Sequence, residues 1–233
     1  MLTEEQIAHF YREGYILVRG LVEPEAIASV MAHAQSRTRE GDKWQATIFD
    51  HDNPTKDAEI HQLLWNPRVI AAAGDLLGTP PRVYFGMLAV VPAGGGQGLP
   101  WHQDNQYTQL LGGALNIFIA LSAITPDMAT LWIGPRTHRM GTQLSEANTT
   151  TAPGHRESLY EPEEPIQLPA LQPGDACIFD RNTLHRSLKN TTDQHRFAYA
   201  AQFQAQHARL AETGEIDPKR MLASELVALH AQD

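Results

Sequence analysis

WHQDNQ, residues 101–106, is the stretch of sequence on which the fold and the functional hypothesis both depend. It places a histidine and a carboxylate two positions apart, directly after the glycine-rich run 93–98. Successive side chains of an extended strand point to opposite faces, so His102 and Asp104 should point the same way. They would then supply two-thirds of the 2-His-1-carboxylate set that binds non-haem iron. By itself the spacing favours a plainer interpretation, a strand end with a His–Asp hydrogen bond.

Residues 174–203, GDACIFDRNTLHRSLKNTTDQHRFAYAAQF, change that balance. Gly174 and Asp175 form a turn signal, and the next four residues predict a short apolar strand. His185 follows, with Ser187 two residues later and Arg196 eleven residues later. A second histidine and a cation therefore accompany the first pair.

This order of residues resembles the pattern of the phytanoyl-CoA dioxygenase-like family of Fe(II)- and 2-oxoglutarate-dependent oxygenases. That pattern is H-x-D, a distal His, a Ser two positions later and an Arg near eleven positions later. The opening LTEEQIAHFYREGYILVRGLV, residues 2–22, resembles the family's first helix and strand. Residues 130–138 resemble its L-x-x-x-P-G-S-H block, although Arg136 stands where Gly is usual. The resemblance covers most of the chain.

The resemblance implies a mainly β fold with flanking helices, whose core is a double-stranded β-helix (a jelly roll, or cupin-like barrel). It implies one oxygenase domain over residues 1–233. Within that domain we expect a mostly helical flank at 1–80, the jelly-roll core at 82–205 and a C-terminal helix at 217–231.

The resemblance also implies the site. His102, Asp104 and His185 would hold Fe(II), with 2-oxoglutarate and dioxygen as cosubstrates. Arg196, with Ser187 as a second donor, would bind the far carboxylate of 2-oxoglutarate, since the planar guanidinium can bind a carboxylate through two hydrogen bonds. Because Asp104 fills the position that halogenating relatives leave to a small residue, hydroxylation is the expected outcome.

The rest of the pocket is predicted less directly. Leu88 and Phe118 are expected to line it beside the cosubstrate, and Trp101, Gln106 and Trp132 to complete it. Strand 85–90 offers no Asn or Gln side chain of the kind that many family members direct at the cosubstrate.

Two strands show the alternation expected of a sheet with two different faces. In Ala114–Ser122, the residues predicted to face a core are Leu115, Ile117, Ile119 and Leu121. In Arg196–Phe203, the bulky face is Phe197, Tyr199, Ala201 and Phe203. The opposite face carries Arg196, Ala198, Ala200 and Gln202, so small side chains leave space beside a fixed positive charge. A short dicarboxylate needs such a space.

Capping and breaking signals predict the remaining elements. Helices are expected over 3–13, 23–39, 54–65 and 67–77, with a last helix from Asp217-Pro218, and strands over 15–18, 44–49 and 82–91. The polar stretch 141–165 is predicted to be a long surface loop that either covers the barrel mouth or is disordered. Histidines outside the pattern (His51, His61, His155, His195 and His207) are expected at the surface, and His138 in a structural or rim role.

Composition limits the class of protein. The 233 residues, 42% apolar and 19% charged, suit one domain with a sizeable core. A net charge of −9 argues against a nucleic-acid partner. Cys177 is the only cysteine, no signal peptide is apparent, and no apolar run approaches the roughly 20 residues that span a bilayer. We therefore expect a cytoplasmic enzyme with a small-molecule substrate.

Two alternatives stay open. One is a cupin-like metalloenzyme that does not use 2-oxoglutarate, against which Arg196 and Ser187 argue. The other is a non-catalytic binding module on the same fold, against which the intact triad argues. Whether 2-oxoglutarate is consumed separates the first alternative from the oxygenase hypothesis. The sequence names neither the prime substrate nor the oligomeric state.

Overall fold

The structure, a computed structural model, describes residues 1–39, 41, 43–150, 152 and 154–231. Its α-helices are α1 (Glu4–Glu13), α2 (Pro24–Arg37), α3 (Ala58–His61), α4 (Pro67–Leu77) and α5 (Ala223–His230). Its strands up to residue 133 are β1 (Tyr15–Val18), β2 (Gln45–Ile48), β3 (Pro81–Val91), β4 (Leu99–His102), β5 (Leu110–Leu111), β6 (Ala114–Ala120) and β7 (Leu131–Ile133). The later strands are β8 (Ser145–Ala147), β9 (Arg156–Ser158), β10 (Ile166–Gln167), β11 (Ala176–Asp180), β12 (His185–Ser187), β13 (Arg196–Ala205) and β14 (Arg209–Leu210).

Two antiparallel sheets form the body of the protein. The larger has the order β1-β11-β6-β13-β3-β2, and the smaller has the order β10-β7-β12-β4. Strands that are distant in sequence lie side by side, so the chain crosses repeatedly between the two sheets. Two short hairpins, β14-β5 and β8-β9, lie outside them. The mainly β class with flanking helices is therefore confirmed.

The alternation predicted for β6 and β13 is confirmed, because their bulky residues pack against the helices. The core shared by the larger sheet and the helices contains Leu115, Ile117, Ile119, Leu121, Phe197, Tyr199, Ala201 and Phe203. The opposite face of the same strands contributes Phe118, Ala120 and Ala198 to a second core between the sheets. Burying each large side chain contributes about 1.5–3 kcal/mol, so this partition fixes the register of both strands.

Helix α1 begins and ends as its sequence predicts. Thr3 and Gln6 form a capping box, and Gly14 ends the helix with φ 85°. A Cβ on Gly14 would collide with His138 and Thr183. The Thr183 hydroxyl donates to the Gly14 carbonyl at 2.8 Å. The end of α1 is thus fastened to the turn that precedes His185.

Two predicted helices differ from the structure. The stretch 54–65 is not one helix: α3 begins only at Ala58, after Asp57 adopts φ 53°, and Gln62–Trp65 continues as a 3-10 helix. The last helix begins only at Ala223, because the chain first makes a turn, in which the Arg220 N–H donates to the Asp217 carbonyl at 3.1 Å, and Leu222 then forms a β-bridge with Arg82. Among the described residues, no helix has the length and apolar character needed to cross a membrane.

The structure also contradicts the expectation that His51 and His61 lie at the surface. His61 is fully buried, and its Nδ1 lies 2.8 Å from the Tyr199 hydroxyl. Burial lowers its pKa to about 4, so it is a neutral member of the core. His51 is half-buried, with Nε2 2.9 Å from the Tyr84 carbonyl oxygen. His138 has a structural contact, with Nε2 3.2 Å from the Tyr11 carbonyl oxygen.

Candidate active site

His102 and His185 are brought together by strand pairing. β4 and β12 are neighbours in the smaller sheet, and the two histidines are direct partners in the register. Their ring centroids lie 4.2 Å apart. Asp104 follows β4 in a 3-10 helix, Asp104–Gln106, rather than in the strand itself. Its carboxylate nevertheless faces the two rings, and the three ligand atoms all lie within 4.8 Å of one another.

Both imidazoles are oriented by backbone carbonyl groups. Nδ1 of His102 lies 2.8 Å from the Pro100 carbonyl oxygen, and Nδ1 of His185 lies 3.0 Å from that of Thr183. A carbonyl oxygen only accepts, so each Nδ1 carries the proton and each Nε2 keeps its lone pair. Burial, followed by the neighbouring His185, lowers the pKa of His102, which favours the neutral ring. Metal-binding histidines are held in this way.

The Asp104 carboxylate completes the donor set. Its Oδ2 accepts a hydrogen bond from Asn116 Nδ2 at 3.0 Å, and its Oδ1 lies 4.0 Å from His185 Nε2. Burial acts to raise the pKa of Asp104, but His185, Arg181, His102 and the Asn116 hydrogen bond together lower it. Two imidazoles whose Nδ1 atoms are held by carbonyl oxygens, together with one carboxylate, all buried, fit an Fe(II) ion with open coordination positions.

A buried arginine, Arg181, holds the segment that carries Asp104. Its Nη2 donates to the carbonyl oxygens of Asp104 at 2.9 Å and Thr108 at 3.2 Å, and its Nη1 donates to Gln202 Oε1 at 2.6 Å. The guanidinium lies 4.1 Å from the centre of the Tyr84 ring. No spacing pattern marks Arg181 or Asn116 in the sequence, since their partners are distant along the chain.

The turn between β11 and β12 also forms hydrogen bonds with the segment that carries Asp104. Gln103 Nε2 donates to the Asn182 carbonyl at 2.5 Å, and Asn105 Nδ2 donates to Asn182 Oδ1 at 3.0 Å. Gln106 Nε2 donates to the Gln143 carbonyl at 3.1 Å. The triad is thus supported before any metal binds, and Gln106, expected to line the pocket, is engaged by the protein itself.

Asn116 should position the Asp104 carboxylate for the metal. We expect Asn116→Ala to weaken Fe(II) binding by roughly 10- to 100-fold, the usual effect of removing a residue that orients a metal ligand. Anaerobic calorimetric titration measures this change, with Asn53→Ala, an exposed asparagine, as the control. Unchanged affinity in Asn116→Ala would show that the hydrogen bond does not orient the ligand.

Arg196 is a buried cation at the start of β13, with 4% of its surface exposed. Its Nη1 donates to the Ala129 carbonyl at 2.8 Å, its Nε has no partner, and its guanidinium lies 5.4 Å from the centre of the Phe118 ring. No carboxylate of the described residues lies within ion-pair distance of it. Burial lowers the pKa of Arg196 to about 10, which leaves it charged at neutral pH. A buried charge without a counter-ion is costly, so this position fits an anionic ligand.

Ser187 lies on β12, two residues after His185. Its Oγ accepts a hydrogen bond from the Leu99 backbone N–H at 3.2 Å. The hydroxyl proton remains available for a second acceptor.

Phe118 lies beside Arg196, as expected for a residue next to the cosubstrate. Leu88 does not: it lies on the opposite face of β3, in the core under the helices, opposite Tyr199 in the register. Its expected contact with the cosubstrate is therefore corrected. In β3, Met87 and Ala89 share the face of Arg196, because they pair with Ala200 and Ala198.

Trp101 and Trp132 also lie outside the pocket. They enclose the Arg186 guanidinium, whose carbon lies 4.8 Å and 5.2 Å from their ring centres. Arg186 and Trp132 are register partners on the face opposite His185. The expectation that these tryptophans line the pocket is wrong, because each adjoins an inward-facing residue along its strand.

The described part of 141–165 lies at the rim of the site and contains the β8-β9 hairpin. His155 Nδ1 lies 3.1 Å from the Tyr107 hydroxyl, and its ring centroid lies 6.0 Å from that of Trp44. The Tyr107 ring meets His102 edge-on, with centroids 5.9 Å apart. Burial raises the pKa of Tyr107 to about 12 and lowers that of His155, so both are neutral at pH 7. His155 is half-buried at this rim rather than on the open surface.

Comparisons with known proteins agree with this geometry. The family model for phytanoyl-CoA dioxygenase (PhyH) matches residues 10–198. A methylphosphonate hydroxylase of Gimesia maris is 25% identical over 208 residues, which cover 84% of this chain and 78% of the relative. An ectoine dioxygenase of Nocardia farcinica is 24% identical over 226 residues, covering 81% and 73%. The crystal structure of EvdO2 from Micromonospora carbonacea var. aurantiaca, complexed with 2-oxoglutarate, has a TM-score of 0.75 at 20% identity and covers 94% of this chain and 96% of its own. The double-stranded β-helix expected from the sequence is confirmed.

Proposed function

The chain belongs to the phytanoyl-CoA dioxygenase (PhyH) family of Fe(II)- and 2-oxoglutarate-dependent oxygenases, and on that premise we propose that His102, Asp104 and His185 hold the iron with which it hydroxylates a small metabolite. The observation that carries the proposal is the convergence of two lone-pair nitrogens and one carboxylate within 4.8 Å. The fastening of each ligand by its own hydrogen bond supports the same assignment.

Different residues of the chain would bind the metal and the cosubstrate. His102, Asp104 and His185 would hold the ion and would leave coordination positions open for 2-oxoglutarate and dioxygen. When bound, the iron supplies the oxidation of 2-oxoglutarate to succinate and CO2, coupled to oxidation of a substrate C–H bond. Arg196 would bind the far carboxylate of the cosubstrate, and the free proton of Ser187 would donate to the same group. Ala198 and Ala200, on the face of Arg196, leave room for the carbon chain between them.

The surroundings of Arg196 favour this proposal over a cupin-like enzyme that uses no keto acid. Such an enzyme would have no need to bury a cation whose partners are a backbone carbonyl and an aromatic ring. A non-catalytic module would have no need for three oriented ligands. The names of the relatives point to small polar substrates, and we extend that class to this chain. We also propose that residues 1–233 act as one oxygenase domain in the cytoplasm, without a nucleic-acid partner.

Turnover of 2-oxoglutarate tests the proposal. In air, with Fe(II) and a library of small metabolites, the wild-type protein should form succinate in step with one or a few compounds, and His185→Ala should not. With labelled dioxygen, one atom should enter the product and one the succinate, allowing for exchange with water. If no compound raises succinate above the His185→Ala level, the proposed function fails. A chlorinated product in chloride buffer would contradict the role given to Asp104.

A further inference from the structure

Arg156 lies at the rim of the site, on the hairpin formed by β8 and β9. Its backbone N–H donates to the Tyr107 hydroxyl at 3.1 Å. The Tyr107 ring in turn meets His102 edge-on, with centroids 5.9 Å apart. One tyrosine therefore separates the hairpin strand from a proposed iron ligand.

The charge of Arg156 has neutral partners. Its Nε and Nη2 donate to the Ser145 hydroxyl at 3.0 Å and 2.8 Å, and Nη2 also donates to the Ser145 carbonyl at 2.6 Å. Among the described residues, no carboxylate lies within ion-pair distance of this guanidinium, and no hydrogen bond uses its Nη1. The adjacent Glu157 binds Asn148 instead. Ser145 thus orients a planar cation without neutralising it.

An oriented guanidinium with a free edge suits an oxyanion. Its planar N–H groups match the oxygens of a carboxylate or a phosphonate, and a partly buried site strengthens such a charge-assisted pair. His155 and Tyr107 lie beside it, and a guanidinium keeps its charge over the whole physiological pH range, which an imidazole or a phenol does not. Arg156 is thus the permanent charge of this cluster.

β2 approaches this rim, because the ring of Trp44, directly before the strand, has its centroid 6.0 Å from that of His155. Ile48 on β2 and Met87 on β3 are register partners, and Met87 also pairs with Ala200. Residues paired in this way share a face, so Ile48 and Met87 lie on the face that carries Arg196. Ile48 is 55% exposed on that face, although it is a large apolar side chain. An apolar part of a substrate would cover it.

We propose that Arg156 recognises an oxyanion, carboxylate or phosphonate, on a short prime substrate whose apolar part lies against Ile48 and Met87. This inference rests on the proposed function and adds the substrate class. The alternative is that Arg156 only ties β8 to β9 through Ser145. If Arg156 had only that structural role, the protein would bind an acid and its ester equally well.

Binding of matched probes separates these roles. Oxygen-free protein loaded with Fe(II) and 2-oxoglutarate is mixed with short straight-chain carboxylates and alkylphosphonates, each compared with its methyl ester by ligand-observed NMR. We expect acids of one class to bind at least about tenfold more tightly than their esters, and the class that binds identifies the oxyanion. Arg156→Gln should abolish the preference, Arg156→Lys should keep part of it, and Arg139→Gln, an exposed arginine, should keep all of it.

Retention of the preference in Arg156→Gln, or equal binding of acids and esters to the wild type, would overturn the inference. Absence of binding by every acid would overturn it as well. Binding of 2-oxoglutarate is measured in the same samples, and thermal unfolding confirms that each variant is folded. If 2-oxoglutarate itself does not bind the wild-type protein, the proposed function fails, and that result is distinct from the others.

Discussion

Arg196→Ala should weaken 2-oxoglutarate binding by roughly 30- to 4,000-fold, which corresponds to the 2–5 kcal/mol typical of losing one partner of a buried charge pair. The physical reason is that Arg196 is a buried cation with a free Nε and a backbone carbonyl as its polar partner. The far carboxylate of 2-oxoglutarate would supply the missing anion. Anaerobic calorimetry on the iron-loaded protein measures the change, and Arg68→Ala, an exposed arginine on α4, is the matched control.

Two further comparisons show whether the lost affinity comes from that carboxylate. Arg196→Lys should recover part of it, because a lysine keeps the charge without the planar fork. 2-Oxobutyrate, which lacks the far carboxylate, should bind wild type and Arg196→Ala about equally. If the alanine variant binds 2-oxoglutarate as tightly as wild type, the anchor lies elsewhere. If the alanine variant loses affinity for 2-oxobutyrate to the same extent as for 2-oxoglutarate, the substitution has damaged the whole site.

Replacing any one of His102, Asp104 or His185 by alanine should abolish stoichiometric iron binding. Each ligand supplies one of three converging atoms, and metal affinity depends on every ligand being placed and deprotonated. The loss of iron affinity should be larger than the 10- to 100-fold loss that is typical when a residue that only orients a ligand is removed. It should therefore be larger than the loss caused by Asn116→Ala. Bound iron is measured after anaerobic loading and desalting.

A histidine outside the site provides the control for this experiment. His33→Ala removes an exposed imidazole on α2 and should leave iron binding unchanged. Full iron content in all three alanine variants of the triad would contradict the assignment.

The sequence is informative about the site where spacing and strand alternation act together. His102 and His185 are identified because their spacing resembles the family pattern, and the strand register pairs them directly. The two faces of β6 and β13 are also predictable, because one carries bulky apolar residues and the other carries small or polar ones. The alternation of the two faces is local, and local periodicity is what a sequence displays.

The predictions for Leu88, Trp101 and Trp132 are wrong because the side chains were assigned to the wrong face of their strands. Trp101 adjoins His102, so a strand that turns His102 inward turns Trp101 outward. On β3 almost every residue is apolar, and nothing in that run distinguishes the face of Met87 from the face of Leu88. The face on which each β3 side chain lies is set by its pairing with β13, whose residues lie more than a hundred positions away.

The supporting network at the proposed metal site could not be predicted for a similar reason. Arg181 reaches Asp104 across 77 positions, and Asn116 reaches it across 12. His61 was expected at the surface, yet it meets Tyr199 across 138 positions in the core. Buried polar groups find partners wherever the fold brings them, and no local pattern encodes that.

The most direct test is a crystal structure of the protein grown without oxygen in the presence of Fe(II) and 2-oxoglutarate, with anomalous diffraction measured at the iron edge. We expect one strong anomalous peak between His102 Nε2, His185 Nε2 and the Asp104 carboxylate, and density for the far carboxylate of 2-oxoglutarate against the Arg196 guanidinium. An iron peak away from these three residues, or a 2-oxoglutarate whose far carboxylate is bound by another side chain, would contradict it.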